Sequence, residues 1–556
     1  MSPAGRRSAV LAAATTAAVT GLFGLTALVL ASVLMPTLAP PRRAPSVVPR
    51  QTIDLSAIES AREYRTDEPE GPGFVGSEAE VLDRSLALIK RDLGTSLHPD
   101  SRLARLARWV YERLGPDKSL PPQSAFDVLT RRLGLVEPLP HLLLIEVRGA
   151  EAPAEAVSAR LAKGFNLADY THIGGIAERE ALEVVVVIAL SRRRIRMEPV
   201  LRSLSRPGRI SLDGRLEGVY TGSELAQTLP GGETRTKDLG EGLEFHTTIR
   251  LAETGRHRVE IIARGPKGPE VVANFPVFVG VPVDESVEAV AAPDVVLRPD
   301  EVRRRLFELI NAERARAGLA ALTFDPGLSE AALRHSEDMR ANGFVAHVSP
   351  ATGSTEDRLL RAGVVTSLAA ENVSRGYSPD EIHKGFMDSP GHRAAILLAG
   401  ATHVGIGVAF KQEYENPSYF VTELFIRRIP PLGPGAKLTF LKRLNSARTA
   451  VGAPAVREDA ALSRIADESA REFLAGPSLS QKEVLVRLSD RLKGISRKAL
   501  SFYSTLSVVE SLDEGANQAA SDPKAGRAFH VGIGIAQGRR AELVPNSIVL
   551  VLVFVD

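Results

Sequence analysis

The 556-residue sequence contains no cysteine. This absence excludes disulfide bonds, thiolate metal sites, a cysteine nucleophile and a lipid anchor of the bacterial lipoprotein type. The chain also lacks a large excess of charge of one sign. It has 69 lysines and arginines and 67 aspartates and glutamates, for a net charge of +2. Composition therefore gives no electrostatic reason to expect nucleic-acid binding. The His-Glu-x-x-His, Gly-x-Ser-x-Gly and P-loop motifs of common enzymes are missing from the sequence as well.

An uncharged stretch follows Arg6–Arg7 and runs from Ser8 to Pro41, with its most apolar part at Val19–Met35. A cleaved signal peptide has an apolar region of about 7–15 residues, whereas a membrane-spanning helix needs about 20. The length favours a signal-anchor helix over cleavage near Ala39, where Pro40 makes a poor site. Both alternatives place the folded part of the chain outside the cytoplasm, either secreted or attached to the membrane by this helix.

Five motifs follow one another in the middle of the chain, between Glu301 and Phe425. They are Leu309–Arg314, Phe344–Pro350, Ala370–Val373, Ser389–Arg393 and Thr402–Gly407. In this order they resemble the CAP superfamily of cysteine-rich secretory proteins, antigen five and pathogenesis-related proteins, in its bacterial SCP-like form. The resemblance implies an α+β fold in which helices cover both faces of an antiparallel sheet. It settles architecture better than activity, because one fold hosts many functions.

The resemblance also implies a groove lined by two histidines and two acidic residues. His347 matches the first histidine, Glu371 the first acid and His392 the second histidine. The position of the second acid holds Ser389, and the neighbouring Asp388 would point elsewhere on a helix. We therefore expect His347, Glu371 and His392 to converge in one solvent-facing groove that lacks one carboxylate.

Two kinds of chemistry suit these three side chains. Two neutral imidazoles, at His347 and His392, can hold a divalent metal such as zinc with one coordination position open, and a metal-bound water could then attack a carbonyl. Alternatively, a carboxylate between two histidines orients their tautomers and holds a groove together. We favour a binding groove without catalysis over a hydrolytic site.

The central unit has internal repeats on both sides. Thr171–Ile176 resembles Thr402–Gly407, and Phe529–Ile535 does the same near the C-terminus. A constant offset of 134 residues relates two sets of four positions, Asn311, Gly318, Asp325 and Leu328 to Asn445, Gly452, Asp459 and Leu462. The second histidine is replaced in the two flanking copies by Leu161 and Ala519. We therefore expect at most one site of this kind per chain.

The region between the first and second units has a different pattern. Short segments of alternating polarity, such as Val259, Ile261 and Ala263, are separated by turn signals such as Asp213–Gly214. This predicts a β-sandwich of immunoglobulin-like type. The acidic, glycine-containing stretch Thr66–Gly76 predicts a linker.

A chain of this length should hold roughly four domains of about 150 residues. The predicted parts are a signal or anchor with its linker (1–50), a degenerate CAP-like domain (78–194), a β-sandwich (195–285), a CAP domain (300–430) and a second degenerate CAP-like domain (436–556).

These observations favour an exported, extracytoplasmic binding or interaction module whose groove takes a peptide, a glycan or a lipid. The alternatives are a metal-dependent, peptidase-like hydrolase and a purely architectural protein of the cell envelope.

Overall fold

A computed structural model of the protein describes residues 50–555, apart from 57, 68–69, 116–117, 119, 150, 285, 291–295, 414–415 and 495–500. The predicted anchor at Val19–Met35 lies outside these residues. Within the described part of the chain, no helix has both the length and the apolarity needed to cross a membrane.

The N-terminal part has a mixed sheet in the order β3-β6-β7-β5, and β4 also pairs with β6. Strands β6 and β7 are antiparallel, whereas β3 and β4 run parallel to β6. The elements are β1 (Arg50–Asp54), β2 (Glu63–Tyr64), β3 (Phe74–Val75), α1 (Ala79–Leu93), β4 (His98–Pro99), α2 (Ser101–Tyr111), α3 (Gln123–Arg132), β5 (His141–Arg148), α4 (Pro153–Gly164), a 3₁₀ turn (Leu167–Asp169), β6 (His172–Glu180) and β7 (Glu183–Ser191).

Both ends of the stretch Thr66–Gly76 belong to this folded part, so its prediction as a linker was wrong. Thr66 is buried, and its hydroxyl accepts a 2.9 Å hydrogen bond from the backbone N–H of Met197. Phe74 and Val75 pair in parallel with β6. A two-residue strand and a single buried threonine leave no hydrophobic periodicity in the sequence, so this stretch could not be recognised as folded.

Two antiparallel-rich sheets follow, in the orders β10-β16-β15-β12-β13 and β14-β11-β8, with a shared apolar core. Strand β14 shows the expected alternation, with every second side chain buried. The immunoglobulin-like topology stays a prediction. The strands are β8 (Ile195–Met197), β9 (Val200–Leu201), β10 (Ser203–Leu204), β11 (Gly208–Leu216), β12 (Gly222–Thr228), β13 (Thr234–Glu241), β14 (Glu244–Leu251), β15 (Gly255–Gly265), β16 (Gly268–Val279) and β17 (Ser286–Val290), which pairs with β1.

The central domain has three layers around a sheet in the order β18-β20-β21-β19. Helices α5, α8 and α9 pack on one face, and α6 with α7 packs on the other. This is the α+β arrangement that the resemblance implied. The elements are α5 (Pro299–Arg316), β18 (Thr323–Phe324), α6 (Pro326–Asn342), α7 (Thr355–Arg361), β19 (Ala369–Gly376), α8 (Pro379–Asp388), α9 (Pro390–Ile396), β20 (His403–Glu413) and β21 (Asn416–Ile426).

The C-terminal part repeats this order of elements, with a sheet in the order β22-β24-β25-β23. Leu462, Ile465 and Phe473 are buried on α11, which begins at the N-cap Asp459. The elements are α10 (Ala436–Ala450), β22 (Arg457–Glu458), α11 (Ala460–Ala475), α12 (Gln481–Lys493), β23 (Phe502–Val509), α13 (Leu512–Ala520), a 3₁₀ turn (Pro523–Ala525), β24 (His530–Gln537) and β25 (Ile548–Val555).

Side-chain hydrogen bonds recur between these two parts at the 134-residue offset. Asn311 accepts from the N–H of Leu322 and donates to its carbonyl, at 2.8 and 3.2 Å. Asn445 does the same with Val456, at 2.8 and 3.0 Å. The assignment of the C-terminal part as a second CAP-like unit stays a prediction, and these shared bonds support it.

Two buried arginines recur at the same offset. Arg314 and Arg448 are each 0% exposed, and each donates only to backbone carbonyls among its described partners. The acceptors of Arg314 are Ala320, Ile396, Leu398 and Ala401, and those of Arg448 are Pro454, Ala525, Gly526 and Ala528.

The Gly-x-Gly motif brings a helix against the sheet in both parts. A β-carbon added at Gly407 would lie 2.2 Å from the carbonyl carbon of Ala332, and one at Gly534 would lie 2.1 Å from that of Ala466. Because such distances are far inside van der Waals contact, only glycine allows α6 and α11 to approach β20 and β24 this closely.

Candidate binding groove

His347 lies on the loop after α6. The helix ends at Gly343, whose φ of +67° is the left-handed conformation typical of a helix C-terminus. The Nδ1 of His347 is 2.9 Å from Oε1 of Glu371, and the His347 side chain is 18% exposed. A carboxylate only accepts hydrogen bonds, so Nδ1 carries the hydrogen and Nε2 takes no part in this bond.

Glu371 lies on β19 with its side chain only 2% exposed, and it contacts a second cationic group. The guanidinium of Arg358, on α7, donates to Glu371 and also to the carbonyl of His347, the latter at 2.9 Å. Burial raises the pKa of the Glu371 carboxyl, but the hydrogen bond from His347 and the charge of Arg358 together hold it below its ordinary value. Glu371 is therefore an ionised carboxylate.

His392 is the third residue of α9, which begins at the N-cap Ser389. Its ring packs against Phe386, with 5.1 Å between ring centroids. Burial lowers the pKa of His392 to about 3, and the charge of His347 acts in the same direction, so the ring is neutral at physiological pH. The structure thus brings His347, Glu371 and His392 into one site, although their role in binding stays a prediction.

A buried glutamate from the sandwich contacts Ser389, the residue at the position where the resemblance implies the second acid. Glu260 of β15 accepts from the hydroxyl of Ser389 at 2.7 Å, from the N–H of Gly391 at 2.9 Å and from the amide of Asn274 at 3.1 Å. Burial raises the pKa of Glu260 to about 7. The adjacent Asp388 pairs with Arg258 at 2.5 Å and does not take this position.

A second buried glutamate lies beneath the site. Asn372, on β19, donates to the carbonyl of His392 at 3.2 Å and to Glu423, its cross-strand partner on β21, at 3.1 Å. Burial raises the pKa of Glu423 to about 8, so this carboxyl is neutral at pH 7. Asn372 Oδ1 and Glu423 Oε1 have no hydrogen-bond partner among the residues that the structure describes.

One side of the groove lies against the sandwich, a contact that the sequence did not predict. At the tip of the β15–β16 hairpin, the carbonyl of Lys267 accepts a 3.0 Å hydrogen bond from the N–H of Val348. Between the domains a cavity of about 510 Å³ remains, lined by His347, His392 and Glu260 and, from the N-terminal part, by His141. A sequence pattern cannot show this contact, because it depends on how the sandwich docks against the CAP domain.

No three His, Cys, Asp or Glu side chains of the described residues are arranged as a metal site. The metal predicted at His347 and His392 would need Glu371 as its third ligand. In the structure Arg358 already neutralises that carboxylate, and a second cation beside a buried guanidinium is electrostatically unfavourable. The ion pair between Arg358 and Glu371 therefore weighs against a divalent metal at His347 and His392, which stays a prediction.

Two other histidines have structural contacts. His335 on α6 is 0% exposed, donates from Nε2 to the carbonyl of Ala346 at 2.9 Å and contacts Thr352 through Nδ1 at 2.8 Å. His403 opens β20 and contacts Thr402 at 2.9 Å. His335 nevertheless lies near the candidate residues, because its charge and that of Glu371 act on each other's pKa.

Residues 307–425 match the family model described as CAP, the cysteine-rich secretory protein family. The chain contains a CAP domain. YkwD of Bacillus subtilis is 39% identical over 105 residues, or 19% of this chain and 41% of that protein. The membrane protein YlbC of the same organism is 38% identical over 115 residues, or 20% of this chain and 33% of that protein. The chain thus spans less than half the length of these curated relatives.

A solved extracellular protein containing an SCP domain, from Bacillus anthracis, is 24% identical to this chain over the matched part. The match covers 33% of this chain and 64% of the other, with a TM-score of 0.21.

Proposed function

We propose that the protein is an extracytoplasmic binding protein whose ligand occupies the cavity between the CAP groove and the sandwich. The cavity carries this proposal, because about 510 Å³ is within the usual range of ligand sites, and it is lined by His347 and His392. The uncharged stretch at Val19–Met35 supports export, and the extracellular SCP-domain protein of Bacillus anthracis agrees with it.

The lining combines apolar surface with polar groups. Phe344, Val345 and Val373 give the CAP side of the cavity an apolar part, whereas Tyr220 and His141 bring polar tips from the other two domains. A site of this size suits a small molecule or one end of a peptide, glycan or lipid chain.

The ionised Glu371 supports binding over hydrolysis. Its two oxygens are engaged by His347 and Arg358, so it is poorly placed to act as a general base on water. It fixes the tautomer of His347 instead and leaves the Nε2 nitrogen outside this bond.

Fluorescence anisotropy of labelled probes with the full chain tests the proposal. The probes are a dansylated tripeptide, a labelled disaccharide-peptide fragment of the bacterial cell wall and a fluorescent fatty acid. We expect saturable binding of one probe, weakened at least about tenfold by the cavity-filling substitution Val345→Trp. The matched control is Val365→Trp, at a position that is 49% exposed and outside the cavity lining. Failure of all three probes to bind the wild-type chain would refute the proposal in favour of an architectural protein.

A further inference from the structure

The β15–β16 hairpin of the sandwich touches the CAP groove at two points. Its tip lies at the His347 loop, where a β-carbon on Gly268 would be 2.8 Å from the β-carbon of His347. Its middle lies at the turn between α8 and α9, where Glu260 contacts Ser389 and Gly391. The hairpin therefore spans the groove from one histidine-bearing segment to the other.

The contact at Glu260 is closely fitted. A β-carbon on Gly391 would lie 3.1 Å from Ile262 and 3.2 Å from Glu260, tighter than ordinary van der Waals contact. The Glu260 side chain is fully buried and both of its oxygens accept hydrogen bonds. A second link lies beside it, since Arg258 also donates to the carbonyl of Asp388 at 3.1 Å.

Ser389 precedes His392 at the position where the resemblance implies an acid, so this position carries no carboxylate. The carboxyl that contacts this turn lies 129 positions away in the sequence, on another domain. It binds the N-cap hydroxyl of α9 and one of the N–H groups at that helix start, and His392 is the next residue. A group held in this way fixes the orientation of the turn and of the imidazole that it carries.

We propose that Glu260 is the positioning residue for His392, standing in from the sandwich for the carboxylate that Ser389 lacks, so that the groove is a site shared by two domains. This inference deepens the proposed function, because it makes the binding site exist only when the hairpin is docked. It also restricts the ligand. Because the hairpin spans the groove, we expect a small molecule or a chain end in the cavity and not a polymer strand lying along the groove.

NMR of the full chain labelled with ¹³C at histidine Cε1 tests the inference without any ligand. The signals of His347 and His392 are assigned with His347→Gln and His392→Gln. The signals are then compared in Glu260→Ala, Ser389→Glu and the double variant. Glu270→Gln is the matched control for the His392 signal, because Glu270 lies on the same hairpin and lines the same cavity, but its hydrogen bond is to Tyr220 of the sandwich.

We expect Glu260→Ala to displace the His392 signal by more than its linewidth and Glu270→Gln to leave it in place. Ser389→Glu alone should also displace it, since two carboxyls then compete for one buried space. The double variant should return the signal towards its wild-type position, because the carboxyl is restored on the CAP side. Should Glu260→Ala fail to fold, Glu260→Gln takes its place, with a displacement again expected.

An unchanged His392 signal in the Glu260 variants would overturn the inference, as would a double variant no closer to wild type than the single one. Because no ligand is involved, this failure is distinct from that of the proposed function. Probe binding reports whether the cavity takes a ligand, whereas the histidine signals report whether Glu260 positions His392.

Discussion

Replacing Glu423 by glutamine should make the CAP domain much less sensitive to pH. Burial raises the pKa of Glu423 to about 8 from an ordinary value of 4.5. Between these values the folded state holds a proton that the unfolded state has lost. Stability therefore falls as pH rises through this window and is fully present only below it. At about 1.4 kcal/mol per pH unit, the loss over the window amounts to about 5 kcal/mol.

Glutamine has nearly the shape of a protonated glutamate and does not ionise. Glu423→Gln should therefore match the wild type near pH 4.5 and exceed it by several kcal/mol, on the order of 5, above pH 8. The matched control is Glu330→Gln on α6, which changes a side chain that is 71% exposed and not a buried carboxyl. Glu260, with a pKa of about 7, acts in the same direction but is unchanged in both chains, so the difference isolates Glu423.

Hydrogen exchange of backbone amides in β20 and β21, read by mass spectrometry and corrected for intrinsic rates, gives the local opening free energy at each pH. This measurement suits a multidomain chain, in which a single unfolding transition is not assured. A difference between Glu423→Gln and wild type that stays constant from pH 4.5 to 8.5 would refute the reasoning, since the carboxyl would then be ionised throughout.

Two further predictions concern the ends of the chain. Phe473→Ala on α11 should lower the free energy of unfolding by about 3–5 kcal/mol in a denaturant titration, because Phe473 is 4% exposed. The control Phe529→Ala, at a position that is 60% exposed, should lower it little. Equal losses in the two variants would contradict the burial argument. A reporter enzyme fused after Pro49 should be active outside the cytoplasm, and deletion of Ala9–Met35 should keep the fusion inside the cell. Unchanged export of the deletion variant would contradict the predicted export signal.

The three candidate residues of the groove could be predicted because each lies in a short contiguous sequence motif. His347, Glu371 and His392 each lie in a short motif of the CAP domain, and the fold brings these motifs together. Glu260 has no such context. Its neighbours Val259 and Ile261 alternate with it, so the pattern of β15 places Glu260 on the opposite face of the strand, which usually meets solvent.

Which domain covers that face depends on docking surfaces far apart in the chain, and no local pattern encodes them. The contact of Arg358 with Glu371 could not be predicted from the sequence for a related reason. It lies between two motifs on the short helix α7, and only the three-dimensional structure shows that its guanidinium contacts Glu371. The hydrophobic pattern of α7 describes burial and carries no information on partners.

The buried guanidiniums of Arg314 and Arg448 bear on how the chain can be produced. Each ties the C-terminal turn of one helix to backbone carbonyls about 80 residues away in the sequence. Such a link between distant segments is the task that cystine bridges perform in many small exported domains. An arginine needs no oxidant to make it and no reductant breaks it. The folded part should therefore mature equally well in a reducing cytoplasm and in an oxidising compartment, and thiol reagents should leave its stability unchanged.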